Sequence, residues 1–268
     1  MSVVATASKT KTGTGYLPSG MSSFFNEVGE MTIFTGKFFA QVFIPPYNFK
    51  ETLRQCYAAG NKSFGLVAIT AFIMGVVLTI QSRPTLIEFG AESWLPKMVS
   101  VSLVREIAPI ITALICAGKI GSGIGAELGS MRVTEQIDAM EVSATNPFKY
   151  LVVTRIIATT LMLPLLVIMA DAIGIFGGYI GYNLNDHISI GFYFYKVFHE
   201  VSFSDLIPAT IKTFVFGFAI GLVGCYKGYT TKRGTEGVGI AANSAVVVAS
   251  LLVFIIDMLA AQISTLYT

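Results

Sequence analysis

The sequence predicts an all-α integral membrane protein with an N-terminal interfacial amphipathic helix, five transmembrane helices and a short cytoplasmic helix between two of them. Of its 268 residues, 53% are hydrophobic and 13% are charged, whereas a soluble domain carries about 25% charged residues. So few charges would not coat a soluble core of this size. Several apolar runs are long enough to cross a bilayer. One dense charged segment, 129–150, interrupts them.

The N-terminal region is too polar to cross a membrane. Residues 1–20 are rich in Ser and Thr and lack the apolar core of a signal peptide, so we expect a disordered cytoplasmic tail before a single domain at 21–268. Residues 22–45 predict an amphipathic helix ended by Pro45-Pro46, which lies on the membrane surface or against a soluble partner. Its apolar positions are Phe24, Val28, Met31, Phe38 and Val42, and its polar positions, Glu27, Glu30, Lys37 and Gln41, fall largely opposite.

Five apolar segments predict the membrane spans. They lie at roughly 64–81, 98–118, 151–182, 206–226 and 238–263. A span needs about 17 to 25 residues, so the first segment is near the lower limit and the third is too long for one straight crossing. The third also holds Pro164 and Asp171, and should tilt, kink or project beyond the hydrocarbon. Before the first span, a separate short helix is predicted at about 50–59, ending in a turn at Gly60-Asn61.

The distribution of Lys and Arg predicts the orientation. With the N-terminus inside, the cytoplasmic side collects most of the basic residues, and the outside receives only Arg83, Lys97 and Lys196. The positive-inside rule therefore favours a cytoplasmic N-terminus and an outside C-terminus. This orientation puts the charged segment 129–150 in the cytoplasm, between the second and third spans.

The charged segment itself predicts a short amphipathic helix that ends at Asn146-Pro147. On a helical wheel, one face holds Val133, Ile137, Met140 and Ala144, and another holds Glu135, Asp138 and Glu141. Two interpretations remain open. The helix is either a solvated loop element or a docking element through which a soluble partner moves the membrane part.

The sequence offers no pattern for catalysis, for metal binding or for nucleic-acid binding. The net charge of +2 is small, and Cys56, Cys116 and Cys225 are too far apart for a disulfide framework or a zinc site. His187 and His199 are expected to be loop residues. The stretch "GSGIGA" at 121–126 matches a dinucleotide fingerprint, but it follows an apolar span rather than a strand, so we expect its glycines to allow tight packing or a turn.

Four stretches resemble the MlaE/YrbE permease family, the membrane subunits of MCE-type lipid ABC transporters. The central ones are "ELGSMRVTEQIDAMEV" at 127–142 and "NPFKYLVVTRIIA" at 146–158. The supporting stretches are "SLVREIAPIITALICAGKIGSGIGAELG" at 102–129 and "GLVGCYKGYTTKRGTEGVG" at 221–239, and the resemblance covers about 25 to 265.

The resemblance implies a function and a set of partners. It implies a homodimer that docks on an ATP-binding-cassette ATPase dimer, faces a ring of MCE-domain proteins, and moves phospholipids or related lipids between membranes. It places the coupling helix at about 134–142 and favours a bacterial inner membrane over a chloroplast envelope. The implied ATPase-coupling residues are Glu127, Arg132, Glu135, Asp138, Met140 and Glu141. ATP and Mg are expected to be bound by the ATPase, because this chain lacks a phosphate-cradling loop; we expect no cofactor, metal or catalytic residue here.

Charged residues inside the apolar runs are the remaining candidates. An unpaired charge at a bilayer centre costs about 2.5–3.5 kcal/mol on insertion scales, so these residues should face the protein interior or a wet cavity. The intramembrane charges are Arg105, Glu106, Asp171, Lys212 and Asp257. By resemblance, Lys212 and Asp257 are expected to pair, either to fix helix register or as part of a lipid path. The other lipid-path candidates implied are Leu78, Gln81, Leu86, Phe89, Arg105 and Glu106, although Leu78 and Phe89 are equally well explained as packing residues.

Two other functional classes fit less well. A secondary transporter would use the buried carboxylates as ion or proton sites, but the sequence shows no internal repeat. An intramembrane enzyme would need a Ser/His or paired-His constellation within the spans, and none is evident.

Overall fold

The computed structural model describes residues 19–45, 47–184, 188–232 and 234–267. Within these ranges the chain is helical and contains no strand, which confirms the all-α fold class. Most of the predicted tail 1–20 lies outside the described residues, as does His187. The helices are α1 (Ser19–Val42), α2 (Phe49–Glu88), α3 (Glu92–Val133), α4 (Gln136–Val142), α5 (Phe148–Asn183), α6 (Ile190–Glu200), α7 (Phe203–Tyr229) and α8 (Thr235–Tyr267).

Five of the described helices, α2, α3, α5, α7 and α8, are long and apolar enough to cross a membrane, as the sequence predicted. Their burial differs sharply. Within the most apolar part of each helix, 67% of the residues are buried in α5, against 28% in α2 and 17% in α8. The helix α5 therefore lies at the centre of the bundle, whereas α2 and α8 present apolar faces to its surroundings.

The helix α2 corrects the prediction of a separate helix and a turn before the first span. It runs without a break from Phe49 to Glu88 and includes both Gly60 and Asn61. Gly60 is buried on the side of α2 that faces α5, where a Cβ atom would lie 2.4 Å from the terminal methyl carbon of the flexible Met162 side chain. Glycine is found in turns, but it is also found inside helices where a neighbouring helix packs closely, so a Gly-Asn pair does not by itself establish a turn.

The helix α3 contains two π-helical turns, at Leu103–Ile107 and Ala117–Gly121, inside an otherwise α-helical run. It carries the whole of 121–126 and so confirms that this stretch is no dinucleotide fingerprint. Gly121 and Gly125 pack closely, because Cβ atoms there would lie within 3.4 Å of α7 and 3.3 Å of α8, respectively. Gly118 and Gly123, on another face, would meet nothing within 4 Å.

The central helix α5 makes the closest backbone contact in the bundle with α2. A Cβ atom at Gly75 would lie 1.9 Å from the carbonyl oxygen of Gly174, so only glycine fits at this crossing. The helix begins with a π-helical turn at Phe148–Val153 and includes Pro164 in its interior. Its 36 residues span about 54 Å, well beyond the roughly 30 Å of a bilayer's hydrocarbon, so it must tilt or project as expected.

The helix α1 lies against the bundle through Phe34 and Phe38, which are buried beside aromatic residues of α5 and α7. Three of the predicted apolar positions, Met31, Phe38 and Val42, pack against the core, and Phe34, which was not predicted, joins them. Val28 was predicted on this face but is 46% exposed. The polar face is not simply solvated either. Glu27 pairs with Lys227, and the Tyr226 hydroxyl donates to Glu30 Oε2 at 3.0 Å.

Candidate functional site

The turn between α3 and α4 sets the direction of the charged segment. The helix α3 ends at Val133, and Glu135 adopts a left-handed backbone with φ 60° before α4 begins at Gln136. The predicted helix 134–142 is therefore two residues too long at its start. Ala144, also at φ 60°, follows the other end of α4. A left-handed conformation costs a non-glycine residue roughly 1–2 kcal/mol, so the surrounding contacts must impose this geometry.

Apolar packing and an ion pair fasten α4 to the bundle. The side chain of Ile137 is fully buried in the main hydrophobic core, and Met140 packs against that core. In addition, Arg132 Nη1 donates to Asp138 Oδ1 at 2.5 Å across the turn. Ala144, predicted on the same apolar face, is exposed because it lies beyond the end of the helix. The amphipathic pattern was therefore right at Ile137 and Met140 and wrong at Ala144.

The outer face of α4 remains open to a partner. Glu135 and Glu141 are exposed. Val142, which the sequence analysis did not single out, is 90% exposed at the end of the helix. Together with the two carboxylates, it gives α4 a mixed charged and apolar surface that the described residues leave uncovered. Its only sequence signal is its place at the end of a short charged helix.

The segment after α4 is held by α1. Lys149 is only 9% exposed, and its Nζ donates a hydrogen bond to the backbone oxygen of Ile44, just beyond the end of α1. The amide of Asn146 donates to Gln41 Oε1 at 3.3 Å. Together with the Glu27–Lys227 ion pair, these contacts connect α1, the connection after α4 and the end of α7. Sequence analysis missed this connection, because its partners are about one hundred or more residues apart.

Glu127, which the family resemblance assigned to ATPase coupling, lies two turns before the end of α3. Its Oε1 accepts from Arg155 Nη2 at 2.8 Å, and the Arg155 side chain is only 3% exposed. Arg155 belongs to α5, so this pair joins α3 to the central helix. Within the chain, Glu127 therefore contacts a membrane-spanning helix rather than α4.

A second polar group lies among the spans. Lys212 on α7 donates from Nζ to Glu106 Oε2 at 2.7 Å and to Asp257 Oδ1 at 2.9 Å. Its side chain is 6% exposed, and that of Asp257 is 14% exposed. The expected pairing of Lys212 with Asp257 is present, and Glu106 completes a cluster that connects α3, α7 and α8.

Arg105 and Glu106 turn to different partners, as adjacent helical residues must. Arg105 Nη1 lies 3.6 Å from Oδ1 of Asp205, a residue in the first turn of α7 that sequence analysis did not single out. Arg105 and Glu106 both lie on the π-helical turn Leu103–Ile107. Such a turn inserts one residue into the helix, which reorients side chains and often marks a functional site.

The other candidates lie apart from this cluster. Asp171 on α5 has its Oδ1 buried without a hydrogen-bond partner among the described residues. Leu78, Gln81 and Leu86 lie in the last turns of α2 and Phe89 follows it; Phe89 is 78% exposed and Leu78 is half-buried. The small cavity beside Lys212 is lined by α3, α7 and α8, so the structure does not bring these four candidates to the charges. Among the described residues, no group of His, Cys, Asp and Glu is arranged to hold a metal ion.

The sequence is similar to known permeases along most of its length. A family model described as Permease MlaE matches residues 52–263. A probable ABC transporter permease protein of Rickettsia felis is 39% identical over 241 residues, which are 90% of this chain and 93% of the relative. One of Synechocystis sp. is 37% identical over 235 residues, 88% of this chain and 89% of the relative. The chloroplastic protein TRIGALACTOSYLDIACYLGLYCEROL 1 of Arabidopsis thaliana is 32% identical over 225 residues, 84% of this chain and 64% of the relative. The chain therefore belongs to the MlaE permease family.

Proposed function

We propose that the chain is the permease subunit of an ATP-binding-cassette transporter that moves phospholipids or related lipids between membranes. The observation that carries this proposal is α4. It is a short helix between two spans, anchored by the fully buried Ile137, with Glu135, Glu141 and the 90% exposed Val142 on its open side. Such a helix transmits a push from a soluble partner to α3 and α5, because its buried side is packed into their core.

The soluble partner is an ATPase. The curated relatives of Rickettsia felis and Synechocystis sp. carry the name of ABC transporter permeases, and this chain has no G-x-x-x-x-G-K-[ST] loop to cradle ATP. ATP and Mg therefore bind to a separate ATPase dimer, which docks on α4. The permease contributes no catalytic residue to hydrolysis.

Lipids are the proposed cargo. The name of the Arabidopsis thaliana relative contains that of a glycerolipid, trigalactosyldiacylglycerol. The burial of the spans favours a lipid path between two copies, since α2 and α8 are the least buried spans and present apolar faces that a second copy or acyl chains would cover. Leu78, Gln81, Leu86 and Phe89 belong to the outer mouth of this path, and an MCE-domain ring receives or supplies lipid there.

The charge cluster at Lys212 belongs to the same path. A phosphate headgroup must be neutralised when it leaves water, and Arg105, with a side chain 37% exposed, is the most accessible cation of the group. Lys212 is already neutralised by Glu106 and Asp257. In this proposal, Lys212 holds α3, α7 and α8 together through Glu106 and Asp257, while Arg105 meets the headgroup and Glu106 lies beside it on α3.

The proposed location is a bacterial inner membrane with the N-terminus in the cytoplasm; a chloroplast envelope is the less favoured alternative. The charge asymmetry of the sequence supports this orientation. In a variant without native cysteines, Phe198→Cys on α6 should react with an impermeant thiol reagent added outside intact cells, and Thr145→Cys after α4 should not. The opposite pattern would contradict the orientation and the docking role of α4.

A proton-coupled lipid transporter is the alternative, and the buried Asp171 Oδ1 without a described partner favours it. Reconstitution distinguishes the two. With the ATPase and MCE partners in proteoliposomes, lipid transfer to acceptor vesicles should require ATP and should survive collapse of the proton gradient. Transfer by this chain without an ATPase, driven by a pH gradient and abolished by Asp171→Asn, would instead establish the alternative.

A further inference from the structure

A groove lined by both polar and apolar residues opens between α2, α3 and α5 near the α4 end of the bundle. Its polar lining includes Lys62, Ser63, Lys119, Glu127, Arg155 and Thr159. It lies far along α3 from Glu106 of the Lys212 cluster, and of its lining only Glu127, an implied coupling residue, and its partner Arg155 have been described above. The open space within it measures about 130 Å³, against about 20 Å³ beside Lys212. One water occupies about 30 Å³ in the liquid, so the groove accommodates a group of several heavy atoms.

Cations outnumber carboxylates in this groove. Lys62, Lys119 and Arg155 face only Glu127. The carboxylate of Glu127 is already bound to Arg155 Nη2, whereas Lys62 and Lys119 make no hydrogen bond or ion pair within the part of the chain that the structure describes. The cluster at Lys212 has the opposite balance, with two carboxylates on one ammonium group. The groove is therefore the better receptor for an anion.

Two deeply buried polar groups at the groove also lack partners. Arg155 Nε and Ser63 Oγ have no hydrogen bond to any of the residues that the structure describes, and the Ser63 residue is 0% exposed. A buried polar group without a partner costs roughly 1–3 kcal/mol, so such groups are retained where a ligand or water satisfies them. Both residues line the groove, and a guanidinium with a spare N–H suits the tetrahedral oxygens of a phosphate group.

The open face of α3 leaves room for the ligand. Gly123 lines the groove, and a Cβ atom there would meet nothing within 4 Å. Lys119 lies on the π-helical turn Ala117–Gly121, which sets its direction relative to the rest of α3. Gly121 and Gly125 are glycines because neighbouring helices approach them closely. No helix approaches Gly123 in this way, and its lack of a side chain keeps the groove open instead.

We infer that this groove binds a phosphate group, with Lys62 and Lys119 at its entrance and Arg155 and Ser63 at its base. The shared chemistry is that of a phospholipid headgroup from the adjacent leaflet or of free inorganic phosphate. Ala58, Ala59, Ile120 and Ile124 supply apolar walls along the same groove, which would accommodate the first carbons of an acyl chain. The site does not depend on the proposed transport cycle.

Equilibrium binding to the purified full-length chain in detergent tests the site. The probes are phosphatidylglycerol with a fluorescent acyl tail, diacylglycerol with the same tail, and inorganic phosphate as competitor. Phosphatidylglycerol should bind more tightly than diacylglycerol, and both Lys62→Ala/Lys119→Ala and Gly123→Leu should weaken its binding about tenfold or more. The matched controls Lys50→Ala on α2 and Gly118→Leu on α3, where a Cβ also meets nothing within 4 Å, should bind as the unaltered chain does.

The competitor separates the two sources of phosphate. Displacement of the lipid by inorganic phosphate at low concentration would assign a free-phosphate site, and failure of displacement would assign a lipid headgroup site. Equal binding of phosphatidylglycerol and diacylglycerol, or binding that Gly123→Leu leaves unchanged, would refute the inference. Neither result would affect the proposed transporter, which the reconstitution tests separately.

Discussion

Arg132 and Asp138 form an ion pair across the turn that joins a membrane span to the short helix α4, with 2.5 Å between Nη1 and Oδ1. Their side chains are 38% and 45% exposed, so water screens much of the attraction. Exposed pairs contribute about 0.2–1 kcal/mol. The position of α4 therefore depends more on the burial of Ile137 than on this ion pair.

The first prediction compares these two anchors. Asp138→Asn should lower the free energy of unfolding by about 1 kcal/mol or less. Ile137→Ala should lower it by about 2–5 kcal/mol, because it empties a fully buried site. Thermal unfolding of the purified variants in one detergent checks the order. A larger loss with Asp138→Asn than with Ile137→Ala would show that the ion pair is the main anchor.

The second prediction concerns Lys212. Lys212→Met should lower the free energy of unfolding by about 3–5 kcal/mol, because it leaves Asp257, and in part Glu106, without a counter-charge. Adding Glu106→Gln and Asp257→Asn should restore much of that stability, since no charge then remains unpaired. Unfolding curves of the single and triple variants measure the difference. A triple variant no more stable than Lys212→Met would argue against charge pairing as the cause.

The third prediction concerns the crossing of α2 and α5. Gly75→Ala should destabilise the chain by about 1–3 kcal/mol, because the new Cβ would lie 1.9 Å from the oxygen of Gly174 and the helices must separate. The matched control is Gly65→Ala on the same helix, where the Cβ meets nothing within 4 Å. The control should be neutral or slightly stabilising. Equal effects at the two positions would refute the close approach.

Much of this architecture was predictable from the sequence, because hydrophobic length is a local property. Five apolar segments correspond to five long helices, and the pattern around Ile137 placed the buried side of α4 correctly. The turn expected at Gly60-Asn61 was wrong because the helix continues through both residues, with Gly60 buried beside Met162, a residue more than one hundred positions away in the sequence. The beginning of α4 was misplaced for a similar reason: a left-handed Glu135 is set by contacts of the fold rather than by its own preference.

The candidate sites divide in the same way. Single charges within apolar runs could be recognised from the sequence, and the Lys212–Asp257 pair was expected from the family resemblance. Asp205, the partner of Arg105, and the pairing of Glu127 with Arg155 could not be foreseen, since each partner lies on a different helix. The assignments of coupling and lipid-path residues remain predictions.

The fourth prediction concerns pH. Lys97 Nζ donates to Glu200 on α6, and this hydrogen bond holds the pKa of the Glu200 carboxyl below its ordinary value of 4.5. Because this pKa is lowered, the pair stabilises the fold fully at pH values above the ordinary pKa of the carboxyl. The contribution is lost as the pH falls through the lowered pKa. Glu200→Gln should therefore reduce the melting temperature slightly near neutral pH, and the difference from the unaltered chain should vanish in acid. A difference that persists in acid, or one matched by the exposed control Glu88→Gln, would argue against the pair.

The last prediction concerns the open face of α4. If an ATPase docks there, reversing the charges of Glu135 and Glu141 should weaken its association, because like charges across a contact cost several kcal/mol. Val142→Asp should act in the same direction, since it puts a charge at the most exposed apolar position of the helix. Asp138 is left unchanged because it is bound to Arg132.

Recovery of the co-expressed ATPase on the purified permease measures the effect. Glu135→Lys/Glu141→Lys and Val142→Asp should each reduce recovery, whereas the control Glu88→Lys, an exposed charge at the far end of α2, should not. Membrane insertion and thermal stability should be unchanged in all three variants, because the altered side chains are exposed and surface substitutions usually fall within about ±0.5 kcal/mol. Full ATPase recovery with both α4 variants would make the segment a solvated loop helix, and the ATPase would then have to act on α1 or on the connection after α4.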